Sequence, residues 1–398
     1  MRKNYLFLPS DLIEEEMLSY NNISRSKDNT LFTPGPVTTS LRTKQLMLHD
    51  IGSRDYDFLE LLQVIKSKLI NIAECSNDDY DVIFMQGSGT FGLESVITST
   101  IPPDGKLLVI INGAYGKRMA QIAEIAKINT VRLEYPENRR PDLNEIDTIL
   151  RKDKAITSVA FVHCETTTGI LNELDQISNI VKKYNKTIIV DALTTFGAMK
   201  IDFYGNNIDY LISGPDKCLE AMPGFAIIFA KIKELKKTKD WGRSLSLNLY
   251  NQWEEMNNTN QFRFTPPIQS ILAFNNALDE LVKEGGVLAR GERYRYNYNT
   301  LITGMRKLGF TEYLFPNLRS YIITSYLNPD DPKFKFRKFY SRLREMGNII
   351  YFGKLSTWEG FRIATIGRIF PTDVQYLVAT IEKTLSEMEI DLNAKINT

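Results

Sequence analysis

DVIFMQGSGTFGLESVITST, residues 81–100, runs from an apolar stretch through two glycines into a segment whose apolar residues recur at helical spacing. A strand, a tight turn and a helix are predicted in that order. The same alternation continues down the chain. KLLVIIN (106–112), TVRLEY (130–135), ITSVAFVH (156–163), KTIIVDA (186–192), DYLISG (209–214) and FAIIFA (225–230) read as further strands, most of them separated by helical segments. Strands apolar on both faces need cover on both sides, so the expected fold class is α/β with a mostly parallel sheet between helices. Open sheets of this kind present ligand-binding groups at the carboxyl ends of their strands.

Outward from that core the chain divides into three. Residues 1–30 form an N-terminal arm: an amphipathic stretch (Leu12, Ile13, Met17, Leu18), expected to pack on a subunit surface, precedes the polar run NNISRSKDNT. Residues 31–265 form the large α/β domain. Residues 266–398 begin with a connecting helix, SILAFNNALDELVKEGG, closed by glycines that suit a helix C-cap. They continue through SYIITSYL (320–327) and GFRIATIG (360–367) to a terminal helix after Pro371-Thr372-Asp373, the pattern of a smaller α+β domain.

Composition narrows the chemistry. The chain has 398 residues, 43% of them hydrophobic, and a formal net charge of +1, which is the profile of a globular protein and not of a nucleic-acid binder. The charged run KIKELKKTKD (231–240) lacks the interleaved aromatics of a nucleic-acid surface and reads as a solvated helix face. No stretch approaches the roughly 18 apolar residues of a membrane span, and the N-terminal apolar run is too short for a secretory signal. Three scattered cysteines give no CxxC motif, and a reducing, cytoplasmic compartment is the simplest expectation. With only His49 and His163, no histidine-rich metal site can form. His163, Cys164 and Glu165 are consecutive on a strand end, where side chains alternate faces, so no metal is expected there.

Three strand ends carry candidate chemistry. Ser88, Gly89 and Thr90 begin a helix, where free amides and the helix dipole suit a phosphate, although the same residues suit an ordinary capped turn. Asp191 ends KTIIVDA, where a carboxylate faces either a crevice or the next turn as a cap. Lys217 follows DYLISG, and a lysine desolvated at such a place becomes a nucleophile toward a carbonyl, whereas most lysines are solvated. A phosphate cup, an acid for a protonated ring nitrogen and a Schiff-base lysine are together what pyridoxal phosphate requires.

With those residues in view the chain resembles the class V aminotransferases of fold type I, and within them the branch acting on aminophosphonates. The matching motifs are FTPGPVTTS (32–40), QGSGTFGLES (86–95), NGAYGKR (112–118), VHCETTTG (162–169), IVDALTTFG (189–197), SGPDKC (213–218), FTPP (264–267) and FRIATIG (361–367). The resemblance implies pyridoxal 5'-phosphate as cofactor, with Lys217 bonding it and Asp191 keeping its ring nitrogen protonated. It implies Ser88, Gly89 and Thr90 on the phosphate, Tyr115 stacked on the ring, Thr166 at the ring's phenolic side and Thr168 as a neighbour. Thr265 is implied to reach the phosphate of an adjoining subunit, which makes a homodimer with shared sites part of the expectation. Arg362 is implied to grip the substrate's carboxylate or phosphonate, its planar fork suiting both. The implied reaction moves the amine of 2-aminoethylphosphonate to pyruvate, a small keto acid, giving phosphonoacetaldehyde and L-alanine. Thr38 and Thr39 are expected as helpers in anion binding. Arg54 reads either as a second anion contact or as an ion-pair partner of Asp55 or Asp57. Asp216 stands where a neutral polar residue is expected, and so near a phosphate it must turn away or pair.

Overall fold

A computed structural model describes residues 28–354 and 359–392. The arm as far as residue 27, with Leu12, Ile13, Met17 and Leu18, lies outside the described residues.

The apolar runs form one seven-stranded sheet. Its strands are β1 (Tyr80–Gly87), β2 (Lys106–Ile111), β3 (Asn129–Glu134), β4 (Ile156–Val162), β5 (Thr187–Asp191), β6 (Tyr210–Ser213) and β7 (Gly224–Lys231), in the order β1-β7-β6-β5-β4-β2-β3. All pairings are parallel except those of β7, which runs against both β1 and β6. The other six strands therefore share one direction, and the turns after β1, β2, β4, β5 and β6 leave from a single edge. Helices α1 (Tyr56–Ile72), α2 (Gly89–Thr100), α3 (Ala114–Ile125), α4 (Leu143–Lys152), α5 (Leu174–Lys183) and α6 (Leu249–Thr259) follow the helical spacing. They bury Phe58, Leu62, Leu93, Val96, Met119, Ile146 and Val181 in a core shared with the sheet. Each large apolar side chain so buried contributes about 1.5–3 kcal/mol.

A smaller antiparallel sheet, in the order β8 (Ile323–Leu327), β10 (Glu359–Ala364), β9 (Tyr351–Lys354), has its own core with α8 (Gly286–Lys307), α9 (Phe336–Glu345) and α10 (Pro371–Glu387). Pro371 opens α10, and the Phe370 N–H donates to Asp373 Oδ2 at 2.9 Å, so the Pro-Thr-Asp signal is read directly.

Two segments pack across the division expected from the sequence. Thr30 and Leu31 pair with Asn348 and Ile349, and Phe32 lies in the small core, so the chain from residue 30 begins in the small unit. The connecting helix, α7 (Ile268–Glu284), places Ile271, Phe274, Leu278 and Leu281 in the large core. In both cases tertiary packing by distant segments outweighs sequence adjacency. Among the described residues no helix is long and apolar enough to cross a membrane.

Candidate active site

The common sheet edge gathers the turns that carry the candidate residues. Lys217 sits in the turn after β6, which is closed by the Ala221 N–H on the Pro215 carbonyl at 2.8 Å. Its side chain is only 21% exposed, and Nζ donates to Asp216 Oδ2 at 2.8 Å, so Asp216 pairs with the lysine. The turn is anchored from behind. Buried Arg290 donates to the Cys218 carbonyl at 3.0 Å, while Glu220 accepts from Arg293 at 2.7 Å and from the Tyr294 hydroxyl at 2.5 Å. Arg293 also donates to the carbonyls of Gly367 (2.7 Å) and Ile369 (2.8 Å), in the loop that follows β10. A buried set of matched charges thus ties the lysine turn to the loop next to Arg362.

Asp191 ends β5 and is 3% exposed. Its Oδ1 accepts the Leu193 N–H at 3.0 Å, while Oδ2 is buried without a hydrogen-bond partner. Burial pushes the carboxyl up to about 7, assisted by Glu165 and opposed by the Leu193 N–H and the positive charges of Arg118 and Lys217. Leu193 also packs against the cup: a Cβ on Gly89 would collide with its side chain. Ser88 caps α2 from extended backbone without a side-chain capping bond, which leaves its hydroxyl and the first-turn amides of Gly89 and Thr90 for an anion.

Tyr115 lies in the first turn of α3, held by Glu165, a residue with no role expected from the sequence beyond its unsuitability as a metal ligand. Glu165, fully buried, accepts the N–H groups of Tyr115 (3.2 Å), Gly116 (3.2 Å) and Thr167 (3.2 Å), and the Thr167 hydroxyl at 2.6 Å. Burial raises its pKa while these hydrogen bonds pull it back. Its position at the end of a strand was the available signal. The neighbouring His163 is buried, bonds Thr195 Oγ1 at 2.9 Å and is lowered to about 4 by burial, so it stays neutral at pH 7. Arg118, also unassigned from sequence, donates to Thr90 Oγ1 at 3.0 Å, its guanidinium 4.8 Å from the Tyr115 ring centre.

Arg362 stands on the central strand of the small sheet. It donates to the Thr166 carbonyl at 2.6 Å and lies 4.8 Å over the Tyr351 ring, and its buried Nε has no partner. Burial lowers its pKa. The structure therefore brings Lys217, Asp191, the cup, Tyr115, Thr166 and Arg362 to one region.

Other candidates are placed differently. Thr168 accepts the Ile170 N–H at 3.4 Å and is buried. The Thr38 hydroxyl accepts the Leu31 N–H at 2.8 Å, and Thr39 is buried next to it. Thr265 is exposed, its carbonyl 3.4 Å from Gln86 Nε2. Arg54 is exposed, and among the described residues no ion pair joins it to Asp55 or Asp57; Asp55 instead accepts the Gly52 N–H at 2.6 Å.

The family model described as aminotransferase class V matches residues 49–328, well over half of the chain. The chain belongs to the class V aminotransferases. A relative from Bacillus cytotoxicus, 2-aminoethylphosphonate–pyruvate transaminase, is 46% identical over 354 residues, 89% of this chain and 97% of that one. The enzyme of the same name from Vibrio vulnificus is 44% identical over 357 residues, 89% of this chain and 97% of its own length. In three dimensions this class V aminotransferase is similar to the crystal structure of ureidoglycine–glyoxylate aminotransferase from Bacillus subtilis, with a TM-score of 0.84 at 23% identity over 94% of this chain and 98% of that one. The fold is that of the fold type I transferases.

Pyridoxal 5'-phosphate, the cofactor that the family implies, fits the residues present. The unpartnered Asp191 oxygen suits a protonated ring nitrogen, and the uncapped helix start suits the phosphate. FTPGP closes over the lysine: Gly35 has φ +134°, and a Cβ there would fall on the Lys217 side chain. Gly35→Val is expected to lower the melting temperature by a few degrees, reflecting about 1–3 kcal/mol of strain and overlap. It is also expected to remove the visible absorption that cofactor bonded to Lys217 gives wild type. Calorimetry and an absorption spectrum check both.

Proposed function

We propose that this chain is a pyridoxal 5'-phosphate-dependent transaminase that transfers the amino group of 2-aminoethylphosphonate to pyruvate, giving phosphonoacetaldehyde and L-alanine. One observation carries the reading: relatives that share this name match almost their whole length, and the chain sets a confined lysine, an acid with a free buried oxygen and an uncapped helix start at one sheet edge.

When bound, the cofactor supplies an electron sink for charge developing on the substrate carbon. Lys217 is the amine that bonds it and that afterwards holds and moves the proton at the substrate's amine-bearing carbon. Asp191 would accept the ring N–H through its unpartnered Oδ2. The Ser88 hydroxyl and the amides of Gly89 and Thr90 would take the phosphate, Tyr115 would stack on the ring, and Thr166 would serve its phenolic side with Thr168 as a neighbour. Arg362 grips the phosphonate in one half of the reaction and the carboxylate in the other. Arg362→Ala is expected to raise the KM for both substrates about a hundredfold, the loss of a bidentate charge-assisted pair. Steady-state kinetics with each substrate varied in turn checks this.

We further place Thr265 on the phosphate of a neighbouring copy and Arg54 as a second anion contact. Support comes from large apolar side chains exposed at Leu41 (70%), Leu48 (83%), Tyr56 (77%) and Phe264 (44%), which a homodimer would cover. The three unbridged cysteines suit the cytoplasm.

The test separates the half-reactions. 2-Aminoethylphosphonate without keto acid should discharge the visible band of the loaded protein, and pyruvate should restore it with formation of alanine. A band that ignores the phosphonate but responds to serine or another plain amino acid would overturn the reading.

A further inference from the structure

The cup that the proposed function assigns to the cofactor phosphate has hydroxyl and amide donors, and none of those donors carries a full charge. A phosphate bears nearly two negative charges, and taking it out of water is costly without a cation close by. Arg118 stands beside that cup. It comes from α3, whereas the cup opens α2, and its Nη1 donates to Thr90 Oγ1 at 3.0 Å across the two helices. The same guanidinium packs 4.8 Å from the centre of the Tyr115 ring, within the range of a cation–π contact. It is half-buried, and no carboxylate of the described residues lies within ion-pair distance of it. Its charge does reach Asp191, whose carboxyl it helps to hold down.

We propose that Arg118 is a positioning residue for the cofactor phosphate, acting through the Thr90 hydroxyl, and that it fixes the Tyr115 ring at the same time. A hydroxyl that accepts a hydrogen bond from a cation is a stronger donor through its own hydrogen, so the positive charge is passed to whatever anion Thr90 binds. Because the guanidinium is planar, it lies against the tyrosine while its edge meets the threonine; an ammonium does not combine these contacts. Glu165 sets the start of α3 and so sets the reach of Arg118.

This inference rests on the proposed function, and the test separates the two. Affinities for pyridoxal 5'-phosphate and for pyridoxal, which has the aldehyde and ring without the phosphate, are measured by absorption in wild type, Arg118→Gln, Arg118→Lys, Thr90→Val and the Arg118→Gln/Thr90→Val double variant. Arg118→Gln is expected to weaken phosphate-bearing cofactor by about ten- to a hundredfold, the range of a charge-assisted hydrogen bond, and to weaken pyridoxal, which feels only the loosened Tyr115 ring, far less. Lysine at 118 should recover part of the loss, and visible circular dichroism of the bound cofactor should change in Arg118→Gln because the Tyr115 ring is released. In the Thr90→Val background the arginine substitution should cost much less than it does alone. Equal weakening for both ligands, or additive losses in the double variant, would overturn the inference. A wild-type protein that develops no band with either ligand would overturn the proposed function itself.

Discussion

Lys217→Ala, purified and mixed with pyridoxal 5'-phosphate, is expected to develop no absorption band of a lysine-bound cofactor, and its turnover should fall about ten-thousandfold. Both effects follow from the place of one amine. Lys217 is confined by Gly35 on one side and Asp216 on the other, in a turn pinned from behind by Arg290 and Glu220. Among the described residues no other lysine is held against these elements in this way. The turn's anchors are backbone bonds and buried charges that do not involve the amine, so the melting temperature of the variant should stay close to wild type. Absorption spectra and a coupled alanine assay measure the two outcomes, and wild-type spectra from the variant would remove Lys217 from its assigned role.

Asp191→Asn is expected to separate function from stability. An amide can accept the ring N–H but cannot balance its positive charge, so turnover should drop about a hundred- to a thousandfold. The protein without cofactor should move the other way. The folded pKa, raised to about 7 by burial, lies above that of the unfolded chain. The stability conferred by the protonated acid is therefore complete below about pH 4 and is lost as pH rises through about 7. Above that range wild type holds a buried, half-partnered carboxylate, and asparagine relieves a cost on the order of 2–4 kcal/mol. Cofactor-free Asp191→Asn should thus melt several degrees higher than wild type at pH 8.5 and at nearly the same temperature at pH 4.5. Equal melting at both values would show that Asp191 is not strained by burial.

The large sheet was legible because most of its strands are apolar runs, three of them ending at Gly87, Asp191 and Ser213, a pattern that survives whatever packs on it. The cup, Asp191 and Lys217 were legible because each lies at or just past the end of such a run, and topology then brings the ends of parallel strands to one edge. What the sequence left hidden depends on contacts between remote segments. Gly35 meets Lys217 from the far end of the chain, and only the folded backbone shows why a side chain there is excluded. Glu165 and Arg118 were passed over because their partners are the start of a helix and a hydroxyl on another element, neither of which a local spacing rule registers. The Thr38 hydroxyl is engaged by the Leu31 N–H, a bond that exists because residues 30–32 join the small sheet system and not the large domain.

Reduction with borohydride offers the most direct check on the central claim, that one amine at the edge of the large sheet bonds the cofactor. The protein is loaded with pyridoxal 5'-phosphate, reduced, digested and mapped by mass spectrometry. The peptide containing Lys217 should carry the pyridoxyl phosphate mass in nearly stoichiometric amount, and pretreatment with 2-aminoethylphosphonate should prevent the label. A label on another lysine, or spread over surface lysines with Lys217 unmodified, would contradict it.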